Sequence, residues 1–267
     1  MGRIIVRRYR IPLPEQLAKP TRPVRAVLIG DLHGKMFGEA NKDLVMAIEK
    51  EVPDVIFSVG DLAVCKPGKE TKAEVGIALL KRLSCICPVY AILGNHELRT
   101  REYAKAYPGV YDHIRNELRK SGVTLLENDQ DRLKLLGTEF CIHGMDIPMK
   151  YYKKLSTPVL TAEEIRHSIG EPEKDCYNVL LAHHPVFFES YALWGADLTL
   201  SGHLHGGMVR LPILGGAVSP QLKLFPKYDC GLYRKYGHHL AVTAGLGWHS
   251  IAFRINNPPE ITSMELY

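Results

Sequence analysis

Three short, nearly unbroken apolar runs come early in the chain: Val24–Gly30, Asp54–Val59 and Val89–Leu93. Runs of this length without polar alternation predict strands covered on both faces. Between them the spacing changes. Leu44, Val45 and Ile48 within Asn41–Glu51, and Val75, Ile77, Leu79, Leu80 and Leu83 within Thr71–Leu83, fall at helical intervals. Strand and helix in alternation predict βαβ units.

The second half has a different pattern. Tyr111–Ser121 reads as a helix stopped at Gly122, and Val123–Leu126 as a strand. Arg132–Leu136 and Glu139–His143 read as a hairpin turned at Gly137-Thr138. Within the polar stretch Lys150–Lys174, a helix is expected over Ala162–Ile169 with Thr161 as its N-cap. Val179–Ala182, Leu198–Ser201, His239–Ala244, Ser250–Ile255 and Glu260–Leu266 read as further strands, and Leu211–Tyr233, rich in Gly and Pro, as loops. No linker-like shift in composition divides the chain, so one domain over residues 1–267 is expected.

Composition narrows the class. At 267 residues, 46% hydrophobic and 24% charged, the chain can bury a sizeable core and is neither disordered nor a coiled coil. A net charge of +5 suits an anionic substrate but is too small to indicate nucleic acid. No stretch approaches the roughly 20 apolar residues of a membrane span. Arg3, Arg7, Arg8 and Arg10 lie in an N-terminal segment without the apolar core of a secretion signal, which reads as a solvated strand. The six cysteines (65, 85, 87, 141, 176 and 230) form no CxxC pair, and a chain of this size needs no disulfide. Free thiols in a reducing, cytoplasmic compartment are therefore expected. Cys85 and Cys87 are expected as buried strand residues.

The chemistry concentrates where strands end. Asp31-Leu32-His33-Gly34, Gly60-Asp61, Gly94-Asn95-His96-Glu97, His183-His184-Pro185 and Gly202-His203-Leu204-His205-Gly206-Gly207 each follow a predicted strand. Ligands in open α/β sheets bind outside the carboxyl ends of the strands. A lone Asp or His at such a place is usually a cap or turn former; a metal site needs several that converge. Alternate residues of an extended segment share a face, so the DxH and HxH spacings pair their side chains. Carboxylate with imidazole suits Mn, Fe, Zn, Co or Ni, and the lack of thiolates in these loops argues against a structural zinc.

The five blocks, in this order, resemble those of the calcineurin-like metallophosphoesterases. The resemblance covers nearly the whole chain. Arg210-Leu211-Pro212, Gly231-Leu232-Tyr233, Gly245-Leu246-Gly247 and Arg254-Ile255-Asn256-Asn257-Pro258-Pro259-Glu260 resemble the bacterial YkuE/YaeI-like branch. The resemblance implies a four-layer α/β/β/α sandwich of two mixed sheets flanked by helices. It implies two divalent metal ions, one held by Asp31, His33, Asp61 and His205, the other by Asp61, Asn95, His183 and His203. His96 would protonate the leaving oxygen or stabilise the transition state, and Glu97 would orient or tune His96. The implied reaction is phosphoester hydrolysis by a metal-activated water.

Departures and alternatives limit this picture. The Ser/Thr phosphatase pattern GDxVDRG is replaced by Gly60-Asp61-Leu62-Ala63-Val64-Cys65, and Leu93 stands where that branch has Arg. A small phosphodiester or pyrophosphate, lipid-linked or nucleotide, is the expected substrate, with a phosphomonoester and a non-enzymatic metal-binding scaffold as alternatives. No nucleic-acid partner is expected, because no basic-aromatic cluster lies near the blocks. His113, His143, His167, His238 and His239 are expected to be structural, while His249 is a candidate neighbour of the site. Leu211, Ile213, Leu214, Leu222, Leu224 and Phe225 would pack over the sheet edge, or else form an apolar wall or a peripheral membrane contact.

Overall fold

The computed structural model describes residues 3–66, 70–153, 159–207, 210–211, 215–216, 226–248 and 256–267. Its strands are β1 (Ile5–Ile11), β2 (Val24–Ile29), β3 (Val55–Ser58), β4 (Val89–Ala91), β5 (Thr124–Leu125), β6 (Asp129–Leu135) and β7 (Thr138–Met145). They continue with β8 (Tyr177–Ala182), β9 (Leu198–Ser201), β10 (Arg210–Leu211), β11 (Gly215–Gly216), β12 (Gly231–Lys235), β13 (His238–Val242) and β14 (Glu260–Leu266). The helices are α1 (Lys42–Glu49), α2 (Ala73–Leu83), α3 (Asn95–Glu102), α4 (Val110–Lys120), α5 (Ala162–Ile169) and α6 (Phe188–Trp194).

Two mixed six-stranded sheets form, in the orders β1-β14-β2-β3-β4-β5 and β12-β13-β9-β8-β7-β6. Alternate residues of each inner strand face opposite layers. Ala26 and Leu28 of β2, Val55 and Phe57 of β3, Ile142 of β7 and Leu200 of β9 meet between the sheets. Val27 and Ile29 of β2 and Ile56 of β3 turn the other way, onto α1, α2 and α4. Leu180 and Ala182 of β8 turn onto α5 and α6. Apolar residues at every position therefore follow from burial on both faces, and the four layers are α/β/β/α.

Within the sheets, β2, β3 and β4 run parallel, as do β7, β8, β9 and β13. Their carboxyl ends thus gather at one edge of each sheet. β1 is the outermost strand of its sheet, and its arginines are paired: Arg7 with Glu260, Arg8 with Glu51 and Arg10 with Glu265. Helix α5 starts as expected, with Glu164 N–H donating to Thr161 Oγ1 and Thr161 N–H to the Glu164 carboxylate.

Two cysteine expectations are corrected. Cys141 on β7 and Cys176 just ahead of β8 form a disulfide, with Cα atoms 5.9 Å apart. They lie 35 residues apart, and only the parallel pairing of β7 with β8 brings them together. Cys85 and Cys87 are not strand residues: they sit in the turn between α2 and β4, one exposed and one half-buried. Two helices carry no legible period. α3 has a single apolar residue, Leu98, and α6 buries Phe188, Tyr191, Ala192 and Trp194. The predicted strand Ser250–Ile255, His249, and most of the apolar positions between Leu211 and Phe225 lie outside the described residues.

Candidate metal centre

The five blocks meet at the shared carboxyl edge. Asp31 and His33 follow β2, Asp61 follows β3, and Asn95 and His96 open α3 after β4. From the second sheet come His183 after β8, and His203 and His205 after β9. Every one of these side chains is buried. Asp31, His33, Asp61, His203 and His205 all adopt left-handed backbone, at φ 52°, 49°, 54°, 69° and 53°. Such a conformation costs free energy for a residue with a Cβ, and it clusters at functional sites.

The loops are sewn together by backbone. Asp31 N–H donates to the Gly60 carbonyl, His33 N–H to that of Asp61, and Gly247 N–H to that of Asp31. Gly60, at φ 87°, lies so close to Gly94 that an added Cβ would stand 2.1 Å from the Gly94 nitrogen. Asn257, from the tail motif, donates through Nδ2 to the carbonyls of His205 and Gly207 and so holds the second-sheet loop.

Three overlapping groups of donor atoms result. In each, the atoms lie within 4.8 Å of one another: Asp31, His33 and His205; His33, Asp61 and His96; Asp61, His183 and His203. His33 Nε2 stands 3.2 Å from His205 Nε2 and 3.7 Å from Asp61 Oδ2. His183 Nε2 stands 3.4 Å from Asp61 Oδ2 and 3.9 Å from Asp31 Oδ1. Asn95 Oδ1 is buried and accepts no hydrogen bond among the described residues. Imidazole nitrogens, carboxylate oxygens and an amide oxygen packed this closely out of water are a donor set for a divalent transition metal. The residues present fit the expected group.

Supporting contacts orient these side chains. His183 Nδ1–H donates to the Val59 carbonyl at 2.6 Å, which turns Nε2 toward the carboxylates. Cys65 N–H donates to His96 Nδ1 at 2.8 Å, so neutral His96 carries its proton on Nε2. His203 N–H donates to both oxygens of Asp31, and His96 N–H to Asp61 Oδ1.

Glu97 has a different place from the expected one. No bond joins its carboxylate to the His96 ring. It accepts instead from the N–H groups of Asp61, Ala63 and Gly94, each at 2.9 Å. Glu97 therefore clamps the β3 loop to the start of α3. The sequence signal was a Glu three residues after Gly94, the position of a capping box.

Electrostatics follow from burial and proximity. Burial resists ionisation of Asp61, but His183, His96 and His33 hold its carboxyl well below the usual range. Burial also works against charge on His183; Asp61 and Asp31 outweigh it and push the imidazole up to about 9. His203 is held well below its ordinary value by burial and by neighbouring His184 and His183. Burial lowers His96 despite the pull of Asp61. Burial and the Asp61 charge push Glu97 up to about 7.

Tyr152 was not foreseen. Its ring centroid lies 5.0 Å from that of His203, 5.5 Å from His184 and 6.1 Å from His183. It comes from the polar stretch after β7, which carries no motif. His143, expected to be structural, is buried on β7 and bonded to Asn178.

Residues 24–207 match the model of the calcineurin-like phosphoesterases. The chain belongs to that family. It is accordingly a phosphoester hydrolase by descent, and the family is metal-dependent. The metallophosphoesterase YkuE of Bacillus subtilis (strain 168) is 26% identical over 226 residues, covering 84% of this chain and 72% of YkuE. Phosphodiesterase YaeI of Escherichia coli (strain K12) is 26% identical over 248 residues, covering 91% of this chain and 82% of YaeI. A metallophosphoesterase of Aquifex aeolicus (strain VF5) is 27% identical over 260 residues, 96% and 89% of the two chains. The likeness to the YkuE/YaeI-like branch holds. No helix among the described residues is long and apolar enough to cross a membrane.

Proposed function

We propose that this chain, as one domain, hydrolyses phosphodiester or pyrophosphate bonds at a pair of divalent metal ions. Asp31, His33, Asp61 and His205 would hold one ion. Asp61, Asn95, His183 and His203 would hold the other, with Asp61 shared. A pair of ions bound there supplies Lewis acidity and a nucleophilic water at neutral pH. The observation that carries this reading is the overlap of the three donor groups, the middle one sharing His33 with the first and Asp61 with the third.

The chain's own groups then have separate tasks. Asp31 and Asp61 set the charge of the centre. Glu97 fixes where Asp61 points by holding its backbone. His96, with Nδ1 engaged by Cys65, presents Nε2–H as a donor to a phosphoryl oxygen in which negative charge develops. That tautomer supports transition-state stabilisation over protonation of the leaving oxygen, since donating its remaining ring proton would leave an imidazolate.

The name of YaeI supports a diester substrate. A lipid-linked or nucleotide molecule remains the leading class. The cytoplasmic placement loses its basis, because free thiols were its support and Cys141 is bonded to Cys176. The decisive experiment strips metal with chelator, restores Mn²⁺, and compares bis-p-nitrophenyl phosphate with p-nitrophenyl phosphate. Preferential Mn²⁺-dependent turnover of the diester is expected. A monoester preference replaces this reading with a phosphomonoesterase. Activity that survives chelation overturns the metal mechanism, and no activity on either ester leaves a selective pyrophosphatase or a scaffold.

A further inference from the structure

A cleft of about 680 Å³ opens beside the centre, between α3 and the short helical turn Met149–Tyr152. Arg99, Tyr103, Tyr107, Lys150, Tyr152 and Lys153 line it. Two of these residues tie it to the centre. Tyr152 packs against His183, His184 and His203. Arg99 lies one helical turn after His96 and donates to the Cys65 carbonyl at 2.9 Å, while Cys65 N–H holds the His96 ring. A substrate phosphate at the centre would thus have this cleft within the reach of its next chemical group.

The lining is cationic and rich in hydroxyls. Arg99, Lys150 and Lys153 face a single carboxylate, Glu102. Lys150 is drawn partly toward Glu164, at 3.7 Å on the exposed side. The hydroxyls of Tyr107 and Tyr152 are buried and have no hydrogen-bond partner among the described residues. A buried hydroxyl left unbonded is costly, and two in one cleft beside a reaction centre point to a ligand that satisfies them. Burial pushes the Tyr107 hydroxyl above the ordinary tyrosine value, and an un-ionised phenol is a hydrogen-bond donor. Donors and cations without a matching set of acceptors select an anion. Tyr103, 55% exposed at the mouth, offers a flat face beside them.

Resting on the phosphoester reading of the centre, we infer that this cleft binds a second phosphate, carried by the substrate next to the scissile one. Arg99, Lys150 and Lys153 supply the charge, Tyr107 and Tyr152 the hydrogen bonds. The preferred substrate is then a diphosphate-bridged molecule rather than a simple diester. Its outer part, whether a nucleoside or another group, lies toward Tyr103.

Calorimetric titration of the metal-stripped full chain with ADP and with inorganic pyrophosphate tests this directly. Both are expected to bind, and the double variant Lys150→Glu/Lys153→Glu is expected to weaken both about tenfold or more, as charge reversal at a binding rim does. Tyr107→Phe is expected to weaken both without charge change. Far-UV circular dichroism and a urea unfolding midpoint unchanged from wild type report that the double variant is correctly folded. A Tyr103→Ala loss confined to ADP assigns a nucleoside; a loss for neither probe assigns the phosphates alone. Wild-type chain that hydrolyses the diester yet binds neither probe overturns the cleft and leaves the centre standing. So does binding that the double variant does not weaken. Conversely, chain that binds both probes but never hydrolyses a phosphoester keeps the anion site and sinks the reading of the centre.

Discussion

The first sheet brings both carboxylates to the centre, Asp31 and Asp61, together with Asn95, His33 and His96. The second sheet brings imidazoles alone: His183, His203 and His205. The two sides are held in different ways. First-sheet loops are fixed by buried backbone donors, three of them gathered on Glu97. Second-sheet rings are fixed by packing on one another and on Tyr152, and for His183 by one bond to the Val59 carbonyl, with Asn257 holding the loop from behind. The carboxylates and their anchoring therefore reside on one side and imidazole donors on the other. Loss of a group should cost more on the first side than on the second.

The largest effect is expected for Asp61→Asn, which removes the shared carboxylate. Bound Mn²⁺, measured by elemental analysis, and turnover should both fall by more than the roughly 10–100-fold that loss of a supporting residue costs. A His205→Ala variant that loses more than Asp61→Asn would invert the comparison. His96→Ala comes next: kcat should fall about 10²–10³-fold with metal content unchanged, as for loss of one preorganised donor. Unchanged turnover there would remove His96 from the reaction.

Third is Glu97→Ala, which strips three buried N–H groups of their acceptor. At about 1–3 kcal/mol for each unsatisfied group, urea unfolding of the metal-free chain should report a loss of about 3 kcal/mol or more. A smaller loss would mean that the β3 loop is held by other contacts.

A gentler effect joins the two sides. In the metal-free chain, His183 is raised to about 9 by Asp61 and Asp31. Its unfolded value is about 6.5, so the stabilisation is fully present below about pH 6.5 and is lost as pH rises through about 9. His183→Gln should flatten the unfolding midpoint across that window. Metal binding has the opposite dependence, because a ligating imidazole must be neutral, so metal affinity should rise with pH. The smallest effect lies away from the centre. Thr161→Ala at the cap of α5 should cost about 1 kcal/mol and leave turnover untouched.

The sequence made one kind of information accessible and hid another. Strand ends and the DxH and HxH spacings are local, so Asp31, His33, Asp61, His203 and His205 were legible, and so were the strands that present them. Thr161 was legible for the same reason: its cap is closed by Glu164, three residues on. Glu97 was legible as part of its block, but the clamp it forms was not, since its partners at Asp61 and Ala63 arrive from another strand. Tyr152 follows no pattern and acquires its place through the packing of the turn after β7. The Cys141–Cys176 pair was read as two thiols because strand adjacency, not spacing, unites them. Helix α3 escaped because Leu98 is its single apolar residue, so no amphipathic period marks it.

The left-handed turns at Asp31, His33, Asp61, His203 and His205 have a bearing on the lineage of this chain. Glycine would occupy each of those turns at less conformational expense, on the order of 1 kcal/mol per position. Selection for robustness and selection for turnover therefore pull these five codons in opposite directions. A duplicated copy released from catalysis should drift toward glycine there first, gaining thermal tolerance as it loses the centre. The same five positions would then serve as a record of whether a descendant still works.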